Sequence, residues 1–114
     1  MKIDIGILYW YFIKGGNAIL EIQDYVRLTQ EFRSQTGFAW GKTPLSSASW
    51  QCEFEFKVSG VSDDNGLFGD GFAFWFTTEK EKVGSIFGNA DQFTGLGVFF
   101  DTYRNGKTTV ILII

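Results

Sequence analysis

Between Trp50 and Val58 the chain alternates strictly: Trp50, Cys52, Phe54, Phe56 and Val58 are apolar, and Gln51, Glu53, Glu55 and Lys57 stand between them. A period of two puts successive side chains on opposite faces of an extended chain, so this stretch predicts a strand with one buried and one wet face. Two other segments, Phe72 to Thr77 and Gly97 to Phe100, are nearly continuous apolar runs, the pattern of strands covered on both faces. Thr108-Thr-Val-Ile-Leu-Ile-Ile114 is a further strand pattern that carries no turn residue or polar closure. Val58 to Gly69 is polar and glycine-rich and predicts a loop, and Glu79-Lys-Glu-Lys82 predicts a solvated turn. Convincing helical periodicity and internal repeats are both lacking. Many strands at short spacing predict an antiparallel β-sandwich.

Composition sharpens this picture. With 45% apolar and 18% aromatic residues, 114 residues are enough to bury one core. A net charge of -3 without a basic cluster argues against nucleic acid and anionic membrane surfaces as partners. Ile5 to Ile13 has the length of a signal-peptide hydrophobic region, but Asp4 precedes it, aromatics interrupt it and no small-residue cleavage pattern follows. It is too short to span a bilayer, and residues 1–15 read as a divergent first strand. Cys52, the single cysteine, falls on the apolar side of its alternation and reads as a packing residue, since nothing basic lies beside it and the chain has no histidine to activate a thiol.

Chemistry concentrates at two junctions between strand and loop. Gly69-Asp70-Gly71 opens one apolar run, and Gly95-Leu-Gly-Val-Phe-Phe100 closes on Asp101-Thr-Tyr-Arg-Asn105-Gly106. Carboxylates at the ends of rigid strands, beside glycines that allow close approach, suit a hard cation and hydroxyl-rich ligands. The second loop is no EF-hand: starting from Asp101, Tyr103 and Leu112 would occupy two ligand positions that require oxygen side chains. Asp101, the amide of Asn105 and main-chain carbonyls around Tyr103 remain as part of a cation shell, while an ordinary Asn-Gly turn explains the same residues. Glu53 and Glu55 offer a rival chemistry. On one strand face their carboxylates would lie roughly 6.5 to 7 Å apart, inside the range of about 5 to 9.5 Å used by glycosidases. Gln51 and Lys57 on the same face read instead as an ordinary mixed polar surface. A sandwich used only for protein contacts is a further alternative.

Asp24-Tyr-Val-Arg-Leu-Thr29, Ser34-Gln-Thr-Gly37, Trp40, Gly69-Asp-Gly-Phe-Ala-Phe-Trp75, Phe87-Gly88 and Gly95 to Asn105 together resemble the L-type (leguminous-type) lectins, in matching order from about Gly16 to Lys107. The resemblance is to their intracellular branch, the mannose-binding cargo receptors that cycle between endoplasmic reticulum and Golgi. It implies an all-β, antiparallel sandwich of concanavalin-like jelly-roll type, with residues 16–114 as the N-terminal half of the domain, and a binding protein without enzymatic activity. By the same resemblance Asp70 accepts hydrogen bonds from mannose after a cis Gly69 to Asp70 peptide, and Ser34 lies on the sugar rim. Asn105 binds both sugar and Ca2+, Asp101 is a direct Ca2+ ligand, and Tyr103 contributes its main-chain carbonyl. High-mannose N-glycans of glycoproteins are the implied partners, in the endoplasmic reticulum and Golgi lumen, for a parent anchored in the membrane through another region. Family members carry a histidine, another calcium-binding aspartate and a glycine-rich loop further downstream. The 114-residue chain by itself is therefore expected to self-associate through its last strand and to bind neither calcium nor mannose at micromolar levels.

Overall fold

The structure, a computed structural model, describes residues 12–21, 25–58, 69–103 and 111–113. All regular structure among them is β, paired antiparallel, and no helix occurs. The chain divides into two compact units, Met1–Ser59 and Gly60–Ile114.

In the first unit, β1 (Phe12–Gly16) pairs with β4 (Gly37–Gly41), and β2 (Ile19–Glu21) pairs with β3 (Tyr25–Arg27). Asn17 joins the first pair at its end: its amide donates to the Thr36 carbonyl at 2.6 Å, and its side-chain oxygen accepts the Thr36 amide at 2.8 Å. Among the described residues of this unit, Ala18 and Val26 are the buried apolar ones.

The expected strand at Trp50–Val58 does not form. Only a single-residue bridge at Glu55 interrupts irregular chain, and Trp50, Phe56 and Val58 are exposed. Cys52 is exposed as well, which overturns its reading as a packing residue. Alternation says which side chains would share a face once the chain is extended, but a strand also needs a neighbour for its amides and carbonyls. No described strand pairs with 50–58. Phe54, half-buried, still meets Phe56 at 6.2 Å between ring centres.

In the second unit, β5 (Gly71–Thr77), β8 (Gly95–Asp101) and β9 (Ile111–Ile113) form one sheet in the order β5-β8-β9, and β6 (Val83–Gly84) with β7 (Gly88–Asn89) forms a short hairpin. The two apolar runs are thus strands, as expected, and they pair from Gly71↔Asp101 to Thr77↔Gly95. On one face Phe72 stacks on Phe100 directly opposite, with centres 4.5 Å apart. On the other, Trp75 meets Phe93 and Phe99 edge-on at 4.8 and 5.2 Å, and Phe87 stacks on Phe99 at 5.2 Å. Phe99, 6% exposed, is the centre of this cluster. Aromatic pairs of these geometries contribute about 0.5–1.5 kcal/mol each beyond their area.

The terminal strand pattern appears as Ile111–Ile113 against Val98–Phe100. Lys80, Glu81 and Lys82 are exposed, in keeping with a solvated turn, whereas Glu79 is half-buried. The loop expected over Val58–Gly69 falls mostly on residues 59–68, outside the described residues.

Candidate functional site

Antiparallel pairing decides where the two carboxylates meet. Because Gly71 lies opposite Asp101, the entry to β5 and the exit of β8 share one end of the sheet, and Asp70 is the residue just outside that pair. The Thr102 amide donates to the Asp70 carbonyl at 2.9 Å, continuing the ladder one step past the strands. One Asp101 carboxylate oxygen accepts the Tyr103 amide at 2.8 Å, which turns the chain immediately after β8. The Gly69–Asp70 peptide is cis, as the resemblance implied.

Gly71 has a strict steric role here. Its φ is +132°, and a Cβ at this position would run into the Phe100 carbonyl oxygen and come within 3.1 Å of the Asp101 Cα. Gly71→Ala is therefore expected to lower stability by about 2 kcal/mol or more, from backbone strain plus overpacking. Urea denaturation checks this; a loss below about 0.5 kcal/mol, the level of an indifferent surface change, would contradict it.

Alternation places Asp101 on the same face as Phe99, and Phe87 stacks on Phe99. The tip of the β6–β7 hairpin is thereby drawn to the Asp101 end of the sheet. Asp70, Ser85, Ile86, Phe87, Asp101 and Tyr103 line one open depression of about 220 Å³. Pockets for drug-sized ligands run from about 300 to 1,000 Å³, so this one suits a single sugar ring. Asp70, Ser85 and Tyr103 are exposed and Asp101 is half-buried, an acceptor-rich rim over an aromatic floor.

Ser85 and Ile86 escape sequence reasoning, and Phe87, one of the residues that carry the resemblance, is given no site role by it. Their two-residue flanking strands are too short for any period, and only Gly84 and Gly88 on either side hint at a tight turn, which Phe87 closes with φ +44°. Of the other expected site residues, Ser34 is exposed in a turn of the first unit at φ +59°. Asn105 lies outside the described residues. Glu53 and Glu55 are exposed on irregular chain, so strand rise no longer sets their separation.

The donors gathered here are oxygens, from two carboxylates and adjacent main chain, with no nitrogen or sulfur ligand among the lining residues. That chemistry fits a hard cation such as Ca2+, which takes six to eight oxygens at about 2.3–2.6 Å. Among the described residues no three Asp, Glu, His or Cys side chains cluster, so Asp101 would supply only part of such a shell.

The described part of the second unit is thus an antiparallel sheet whose end carries a shallow, oxygen-lined depression. The legume-like lectin family model matches residues 5–114, and the chain belongs to this family, which is built as an antiparallel β-sandwich. It is 43% identical over 90 residues to VIP36-like protein of Homo sapiens, covering 79% of this chain and 25% of the relative. It is 44% identical over 94 residues to vesicular integral-membrane protein VIP36 of Canis lupus familiaris, covering 82% and 26%. An L-type lectin-like domain-containing protein of Schizosaccharomyces pombe is 37% identical over 100 residues, covering 88% and 31%. The chain thus spans about a quarter of the length of the VIP36 and VIP36-like relatives it matches. No solved structure matches it.

Proposed function

We propose that residues 16–114 are the N-terminal half of a carbohydrate-binding domain without catalytic activity, which when full-length recognises high-mannose N-glycans in a calcium-dependent way on glycoproteins in transport between endoplasmic reticulum and Golgi. The observation that carries the reading is the pairing of Gly71 with Asp101, which holds Asp70 and Asp101 at one sheet end over a sugar-sized depression. Asp70, exposed at the rim, accepts hydrogen bonds from sugar hydroxyls. Asp101, with the Tyr103 carbonyl and Asn105, holds Ca2+, which charges the floor positively and fixes the loop that presents Asn105 to the sugar. Family membership and the relatives named vesicular integral-membrane proteins support a membrane-anchored setting in the secretory pathway.

The test is retention of the full-length lectin domain on an immobilised high-mannose glycan, read at millimolar calcium and again after chelation, together with an assay for released sugar. Retention that chelation removes, with no product, is the expected result. Release of sugar from the glycan, abolished by Glu53→Gln or Glu55→Gln, would replace the lectin reading with a hydrolase; indifference to both calcium and glycan would leave a domain for protein contacts.

A further inference from the structure

The segments 69–71 and 101–103 touch at three successive places. Gly71 lies against the main chain of Phe100 to Thr102, leaving no room for a Cβ, and the Asp70 carbonyl accepts the Thr102 amide at 2.9 Å. The third contact involves a side chain. A Cβ on Gly69 would stand 2.8 Å from Tyr103 Cδ2, 2.9 Å from its Cβ and 3.1 Å from its Cα, so the base of the tyrosine lies flat on the Gly69 main chain. The residue between the two glycines is Asp70.

We propose that Tyr103 is a positioning residue for Asp70: its side chain, packed on Gly69, clamps the entry to β5 against the loop after β8 and so fixes where the Asp70 carboxylate stands. The clamp is separate from any metal-ligating role of the Tyr103 carbonyl and from contact between its ring and a ligand. Its consequence for affinity rests on the reading of Asp70 as the glycan acceptor. The surrounding structure supports the division of labour. Asp101 fixes the Tyr103 main chain by accepting its amide at 2.8 Å, which aims the side chain back toward Gly69. The ring is 40% exposed, so truncating it removes the clamp without opening the Phe99 core. A polar group on a loop holds its position only when neighbours lock it, and Asp70 has glycines on both sides and no bulky neighbour in sequence to do this.

Hydrogen exchange of the unliganded chain, read at Thr102, tests the clamp. In Tyr103→Ala the Thr102 amide is expected to exchange about tenfold faster than in the parent, while interior amides of β5 and β8 keep their rates, since only the local opening is affected. Tyr103→Phe, which retains Cβ and Cδ2, is expected to exchange as the parent does. Gly69→Ala, which pushes the tyrosine away, is expected to behave like Tyr103→Ala. In parallel, the affinity of the full-length lectin domain for methyl α-mannoside is expected to fall about tenfold in Tyr103→Ala and Gly69→Ala and to stay unchanged in Tyr103→Phe. Unchanged Thr102 exchange in Tyr103→Ala overturns the clamp, and if affinity falls all the same, the ring acts by touching sugar. Faster exchange in Tyr103→Ala, with no mannoside binding by the unsubstituted full-length lectin domain, keeps the clamp and overturns the glycan reading.

Discussion

In the full-length lectin domain, replacing Asp70 by alanine is expected to remove high-mannose glycan binding while leaving the calcium-linked rise in melting temperature in place. The side chain is exposed at the rim and carries no packing of its own, so its loss creates no cavity. The contact that orders this stretch, from the Thr102 amide to the Asp70 carbonyl, belongs to the main chain and survives the substitution. What disappears is a charged acceptor. Hydrogen bonds to charged groups contribute about 1.5–3 kcal/mol each, and two of them to adjacent sugar hydroxyls amount to a hundredfold or more in affinity at about 1.4 kcal/mol per tenfold. Asp70→Asn keeps the shape and one acceptor and is expected to fall between parent and alanine variant. Titration with a high-mannose glycopeptide, beside melting curves with and without calcium, checks both halves. An affinity within a few-fold of the parent would remove Asp70 from the site.

Asp101→Ala is expected to lose glycan binding too, but by another route. This carboxylate holds the Tyr103 amide and, on the proposed reading, the cation. A ligand that binds only the native state stabilises it by mass action, about 1.4 kcal/mol at ten times its Kd. For a full-length domain of about twice this chain's length that corresponds to roughly 3–6 °C in Tm, and the rise should vanish in the variant. Without calcium the alanine variant should also be less stable than the parent by about 1 kcal/mol, because the Tyr103 amide has lost its acceptor. Asp101→Asn separates the two effects, since an amide oxygen still accepts that hydrogen bond while the charge that attracts the cation is gone. Calcium raising the Tm of both variants as much as the parent's would show that the ion sits elsewhere or that none binds.

The strands Phe72–Thr77 and Gly97–Phe100 are legible in the sequence because runs that apolar and aromatic, closed by glycine and carboxylate, have few other ways to be buried. The carboxylates at their ends are legible for the same reason: a charge next to such a run must lie where the strand leaves the sheet. Sequence by itself thus determined the β class and the family, and it marked Asp70 and Asp101 as residues with chemistry to do. It failed at Trp50–Val58, where the alternation is the most regular in the chain, because period two fixes faces but not the neighbour that must satisfy the backbone. Tertiary structure alone decided the rest. The register Gly71↔Asp101 brings together two carboxylates thirty-one positions apart, and a slip of one residue would have turned Asp101 to the opposite face. Stacking of Phe87 on Phe99 adds the Ser85–Phe87 turn to the site, and the Tyr103 side chain finds Gly69 across the sheet end. Each of these depends on which surfaces meet once the strands pair, and local pattern carries no record of that, since pairing energy is shared between segments far apart in the chain.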